Sequence, residues 1–241
     1  MYGTSAFDAV EPVRGAVIYA EVTRIPLCTV SIDFSAAFDK ISHSYLMSTI
    51  HAHGFSNWIQ KRIMGLYDKA ASEMQINGFR SSLIQIHSFI RQGRPLTMQL
   101  FAQCLHQLIQ TMEEELKGIQ NKRGQFKRAV IAFADDNIIF FKTSDYVRKL
   151  EEILLAYEDG TGANVNMRKF RALALETWDT ATKIMDIPYH TDVKIVGFQF
   201  TNTVNTSAKN TWSMVTTKVR ALAQETYYRN LNLNKHIHFV H

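Results

Sequence analysis

Cysteine is scarce in this chain, and long apolar runs are missing. Only two of its 241 residues are cysteine, Cys28 and Cys104, and both fall inside apolar stretches. Two thiols cannot complete a structural zinc site by themselves, and this placement predicts buried thiols in a reducing compartment. No uninterrupted apolar stretch approaches the roughly 20 residues that span a bilayer. Met1-Tyr2-Gly3-Thr4-Ser5 lacks the basic-then-apolar order of a secretory leader. The expectation is an intracellular protein, nuclear or cytoplasmic, that is not secreted and has no membrane partner. On that expectation Asn205-Thr206-Ser207 matches a glycosylation acceptor by chance. Equally absent are a helical His-Glu metalloprotease pair, a phosphate-cradling Gly-rich loop with its lysine, and a nucleophile elbow. Histidines such as His51 and His53, or His236 and His238, lack a cysteine or carboxylate set at ligand spacing and read as surface groups. No internal repeat, low-complexity run or Pro-rich linker divides the chain.

What is present is the composition of a globular protein, 46% hydrophobic and 20% charged, enough for one sizeable core or a main domain with a small appendage. The formal charge of +5 suits a polyanionic partner, since each phosphate neutralised by Lys or Arg releases a condensed counterion. The basic residues gather at Lys122, Arg123, Lys127 and Arg128, and again at Arg168, Lys169 and Arg171. Clusters of this kind are also what solvated loops carry.

Hydrophobic periodicity predicts helices interleaved with hairpins around one antiparallel sheet, an α+β class. Phe7, Val10, Val13, Val17 and Ala20 mark a first helix ending before Pro26, and Leu27 to Phe34 a buried strand. A helical region from Ser44 breaks at Gly54 and restarts with Ser56 as cap, placing Trp58, Ile59, Ile63 and Tyr67 on one face. Met74-Gln75-Ile76 and Ile84-Gln85-Ile86 read as a hairpin about Asn77-Gly78. Thr97 is the expected cap of a core helix striped with Leu100, Phe101, Cys104, Leu105, Leu108, Met112 and Leu116. Ser144 should cap a helix carrying Val147, Leu150, Ile153, Leu154 and Tyr157, which Gly160 and Gly162 end. Strands are expected from Ala172 to Leu175 and from Val193 to Phe200. A helix from about Ala208 should turn Trp212, Val215, Val219 and Leu222 inward, and a further one starts at Lys235.

Chemistry concentrates at Phe133-Ala134-Asp135-Asp136, between the strand-like runs Ala129 to Phe133 and Ile138 to Phe141. Asp136-Asn137 suits a tight turn, so the acids are expected near a hairpin tip. Taken alone, the pair is equally what a solvated hairpin would carry, and a third carboxylate has to decide. Asp33 closes the apolar strand Leu27-Cys28-Thr29-Val30-Ser31-Ile32, where an ionised carboxylate needs a compensating cation. Beside Asp135 it would make a site for two Mg²⁺ ions, which want oxygen ligands. Such a pair activates a 3′-hydroxyl and stabilises both oxygens of an in-line displacement.

Three motifs in order carry a resemblance. Ser31-Ile32-Asp33-Phe34-Ser35-Ala36-Ala37-Phe38-Asp39-Lys40-Ile41-Ser42-His43, then Ile90-Arg91-Gln92-Gly93-Arg94-Pro95-Leu96, then Phe133-Ala134-Asp135-Asp136 resemble successive motifs of reverse transcriptases of LINE-type, non-LTR retrotransposons. The likeness continues through Asn164-Val165-Asn166-Met167-Arg168-Lys169 and Val193-Lys194-Ile195-Val196-Gly197 into the tail. It implies an RNA-directed DNA polymerase that extends a DNA primer with dNTPs on an RNA template, with two Mg²⁺ ions or Mn²⁺ in their place. Asp33 and Asp135 would be the principal ligands, Asp136 the second acid of the pair, and the Phe34 carbonyl a backbone ligand. Phe38 stands where the family places a bulky aromatic under the incoming sugar, where a ring clashes with a 2′-hydroxyl. A core aromatic at a strand-to-helix junction is the plain alternative. Arg91, Gln92 and Gly93 resemble the loop lining the nucleotide and template site, or else form a capped helix entrance. Lys169 lies where such polymerases carry a cation near the leaving pyrophosphate, or is a solvated loop lysine.

The family usually has Cys where Arg94 stands, Ser where Thr97 and Phe170 stand, Leu where Val196 stands, and an aliphatic or Thr where Asn137 stands. Its fingers begin upstream of what Ser5 to Glu21 could match, and its thumb continues past His241. The resemblance therefore implies a polymerase palm, a central antiparallel sheet packed on helices, with partial fingers over residues 1–200 and an incomplete helical thumb over 201–241. A second reading of the same features is a retrotransposon-derived fragment that binds nucleic acid or protein without catalysis.

Overall fold

The computed structural model describes residues 6–90, 95–120, 127–133, 136–195 and 197–228. Its centre is a five-stranded sheet in the order Tyr189–His190, Arg171–Leu175, Leu27–Ile32, Asp136–Phe141, Val130–Phe133. Three of the four pairings are antiparallel, and the Arg171–Leu175 to Tyr189–His190 edge is parallel. Leu27–Ile32 is the middle strand and alternates between two cores: Cys28, Val30 and Ile32 enter one, Leu27 the other. Its neighbour splits the same way, with Ile139 and Phe141 on one side and Ile138 and Phe140 on the other. A strand covered on both faces needs apolar residues at every position, which is why these segments read as continuous runs.

The first face is covered by helices α3 (His43–Ala52), α4 (Asn57–Tyr67), α5 (Pro95–Glu115) and α6 (Asp145–Thr161). The α5 stripe from Leu100 to Met112, with Leu116 just past its end, is buried throughout, each large side chain contributing about 1.5–3 kcal/mol relative to exposure. The second face is covered by α1 (Ala6–Thr23), through Val10, Val13, Val17 and Ala20, and by the hairpin Asp192–Ile195/Phe198–Thr201. A one-turn helix, α2 (Ala37–Lys40), follows the central strand, and α7 (Val204–Tyr228) closes the described chain. Cys28 and Cys104 are free, buried thiols; burial pushes Cys104 up to about 12 and Cys28 higher still.

Several elements differ from expectation. Ser42, not Ser44, starts α3, its Oγ accepting the Tyr45 N–H. Ser56 caps α4 as expected, but Trp58 is 66% exposed, because Ile59, Ile63 and Tyr67 lie four residues apart on the inward face and Trp58 is a third of a turn away. The partner of Gln75–Ile76 is Phe79–Arg80, since a two-residue Asn77-Gly78 turn brings the next residues into register; Ile84–Gln85 pairs with Ala71–Ser72. Thr97 lies buried inside α5, which already includes Pro95. Ser144 holds the N-cap position of α6 without a side-chain cap, and Gly160 is helical, leaving Gly162 as the stop. Val193 to Phe200 falls in two antiparallel strands, Asp192–Ile195 and Phe198–Thr201, with Val196 outside the described residues.

The tail helix begins at Val204, and Trp212, Val215 and Val219 point outward at 70%, 38% and 51% exposure. The inward face is polar for a reason: Ser207 Oγ accepts the Thr201 N–H at 2.8 Å and Thr211 Oγ1 the Gln199 N–H at 3.0 Å. These hydroxyls satisfy the free edge of strand Phe198–Thr201, and a buried unpaired N–H there would cost more than an exposed valine. The expected side-chain burial of Leu222 and the start at Lys235 lie outside the described residues.

Candidate active site

Asp33 occupies the point where the chain leaves the main sheet. Ile32 is the last residue paired with Asp136–Phe141, and Phe34–Ser35 pairs instead with Asn164–Val165. Only 8% of Asp33 is exposed. Its carbonyl accepts the Asn166 N–H at 2.7 Å, and its Oδ2 accepts the Asn166 side-chain amide at 3.1 Å. Lys169 Nζ lies 3.1 Å from the same Oδ2. The cationic compensation that burial of this carboxylate demands is therefore supplied by Lys169.

Three steps of the chain deliver these partners. Gly162 ends α6 at φ 80°, its N–H donating to the Glu158 carbonyl. A Cβ at this position would lie 3.1 Å from the Lys40 carbonyl oxygen, so glycine lets the end of α6 abut the turn after Asp33. After Asn164–Val165, the Asn166 carbonyl accepts the N–H groups of both Lys169 and Phe170, a tight turn anchored by the fully buried Phe170 ring. Phe170, where the family has a small polar residue, is thus the packing foot of the loop that carries Lys169. Asn166 was not singled out from sequence; the available signal was a short amide side chain opening a basic turn.

The acid hairpin stands on the other side of Asp33. Ile32 pairs with Asn137, so Asp33 and Asp136 are the next positions along the chain beyond that pair. Asp136 faces Phe133 across the hairpin. Asp136 and Asn137 are therefore the first residues of the returning strand, not its turn, because Asn137 is already held between Ile32 and Ala132. The residues that link the strands, Ala134 and Asp135, lie outside the described residues.

Phe34 is buried, its ring 5.3 Å from that of Tyr157. Phe38 is half-buried, its ring 4.3 Å from that of Phe101 on α5. Its carbonyl accepts the Ile90 N–H at 2.6 Å, while Phe89 donates to Ile41 and His43 to His87. The strand of chain running into Arg91, Gln92 and Gly93 is thereby laced to the turn that bears Phe38. Those three residues lie outside the described residues, as does Arg94.

The donor chemistry fits hard divalent cations: a nearly buried carboxylate stands at a strand end, register-adjacent to a second acidic position. Among the described residues, which omit Asp135, no group of three His, Cys, Asp or Glu side chains converges to hold a metal. Among them also, no helix is long and apolar enough to cross a membrane.

Residues 9–200 match the family model of reverse transcriptase (RNA-dependent DNA polymerase). A Xenopus laevis protein, the transposon TX1 uncharacterized 149 kDa protein, is 26% identical over 171 residues, covering 71% of this chain and 13% of its own length. The Pol polyprotein of a type-1 retrotransposable element R2 from Popillia japonica is 28% identical over 148 residues, 61% of this chain and 24% of that protein. The R2DM polyprotein of Drosophila melanogaster is 26% identical over 58% of this chain and 13% of its own. The chain thus spans only a minor part of these relatives. Among solved structures, Candida tropicalis telomerase in complex with a fragment of telomeric RNA superposes with a TM-score of 0.57 at 11% identity, covering 80% of this chain and 32% of that one. The apo telomerase truncated from its C-terminal domain gives 0.52 at 13% identity over 79% and 38%. With a polymerase fold in common with telomerase, an Asp33 and Asp136 pair of strand ends, and a family match over most of its length, this chain belongs to the reverse transcriptase (RNA-dependent DNA polymerase) family.

Proposed function

We propose that the chain extends a DNA primer with dNTPs on an RNA template, by two-metal nucleotidyl transfer at Asp33, Asp135 and Asp136. The observation that carries this is the placement of Asp33 and Asp136 one step beyond the Ile32–Asn137 pair. Asp33, Asp135 and Asp136 would hold two Mg²⁺ or Mn²⁺ ions, with the Phe34 carbonyl as a backbone ligand. When bound, the ions make the primer 3′-hydroxyl a better nucleophile and offset charge on the transferring phosphate. The chain's own residues do the rest. Phe38 presents its ring beneath the incoming sugar and excludes a 2′-hydroxyl. Arg91, Gln92 and Gly93 line the nucleotide, Gln92 donating hydrogen bonds and Gly93 admitting close backbone approach. Lys169 lies on the phosphate side of Asp33 and meets the leaving pyrophosphate. Residues 1–200 act as palm with partial fingers, and α7 begins the thumb.

The test is primer extension on an RNA template with dNTPs and Mg²⁺. Asp33→Asn and Asp135→Asn are each expected to lower incorporation by at least about a hundred-fold. Equal incorporation by wild type and both variants would sink the proposal.

A further inference from the structure

We infer that Lys169 is the stand-in cation of Asp33: it neutralises the carboxylate before a divalent ion arrives, and metal enters by exchange with it. This rests on the two-metal reading above. Asp33 and Lys169 are unequal partners. The Asp33 side chain is 12% exposed, whereas that of Lys169 is 65% exposed, so the ammonium reaches the carboxylate from the solvent side. Asp33 does not need Lys169 to stay in position, because Asn166 binds both its backbone carbonyl and its Oδ2. An amide carries no net charge, however. Lys169 therefore supplies the charge compensation and Asn166 the positioning.

An ammonium 3.1 Å from Oδ2 would sit only a few ångströms from any ion bound to the same carboxylate. Like charges at that separation repel, so the metal and the ammonium compete. The Lys169 backbone is tied to the Asn166 carbonyl and followed by the buried Phe170, so the backbone can stay in place while the ammonium moves. The released ammonium stays beside the site, where an anionic triphosphate would arrive. Asn166 is by the same geometry a positioning residue for Asp33.

Two measurements on the 241-residue chain decide this. In Mn²⁺ binding followed by electron paramagnetic resonance, Lys169→Gln is expected to bind roughly two- to five-fold more tightly than wild type, the worth of a partly exposed ion pair. Lys169→Arg should restore the wild-type affinity, and Asp33→Asn, which defines the site, should remove the binding. In the ¹³C spectrum of reductively dimethylated lysines, the Lys169 resonance, assigned through Lys169→Arg, should move with Mg²⁺ in wild type and stay still in Asp33→Asn. Asp33-dependent binding with an affinity unchanged or weakened in Lys169→Gln, or with a Lys169 signal that ignores Mg²⁺, overturns the exchange and leaves the polymerase reading standing. Absence of any Asp33-dependent metal binding overturns both.

Discussion

On the proposed function Asp33 faces two opposing demands: to be held rigidly beyond a strand end, yet keep a carboxylate open to a cation from solvent. The division between Asn166, which binds it from within the fold, and Lys169, which binds it from outside, meets both. Phe38 faces a similar choice between packing and function. Its ring lies on Phe101 but is only half-buried, so one side remains available to a ligand. If that side excludes a 2′-hydroxyl, Phe38→Val should relax discrimination between deoxyribonucleotides and ribonucleotides by about ten- to a hundred-fold. The ratio of incorporation efficiencies for dNTP and rNTP measures it, and an unchanged ratio in a folded variant would assign Phe38 to packing alone. From sequence, Asp33, Phe38 and the acid pair stand out as candidates because each sits in a motif with an apolar flank. The Lys169 ion pair was not, because it joins residues 136 positions apart across a turn whose path depends on Gly162 and Phe170.

Among the elements, the amphipathic helices and buried strands were legible wherever one side of the element meets a continuous core. The α5 stripe is the clearest case, with every predicted residue buried. Expectation failed where an element docks by polar contacts. Helix α7 carries an apolar stripe at helical spacing, but Ser207 and Thr211 govern its orientation by satisfying the edge strand Phe198–Thr201. Loss of both hydroxyls in Ser207→Ala/Thr211→Val should cost about 1 kcal/mol for each bond. It should also speed amide hydrogen exchange at Gln199 and Thr201 more than at the central-strand residue Val30. Unaltered protection at those two amides would show that α7 is held by other contacts.

For the whole molecule, charge and topology act on different steps. A net charge of +5 suits a polyanionic partner without choosing a sequence. Affinity for a single-stranded RNA template should therefore fall by about ten-fold or more between roughly 50 and 200 mM salt, as expected when three or more phosphates are neutralised. A filter-binding or anisotropy titration in which affinity is flat across that range would remove the electrostatic term. Topology instead assembles the site. The hydrophobic runs, the turn at Gly162 and the spacing of the acidic motifs are local, so the sequence by itself determined the α+β class, the two-faced burial of the central strands, and which carboxylates are candidates. Which strands are neighbours is not local. Only the tertiary structure set Leu27–Ile32 between Asp136–Phe141 and Arg171–Leu175, because strand order follows from how both faces are covered at once. That order brings the Asp33 and Asp136 positions together and lets Asn166 and Lys169 close on the same carboxylate.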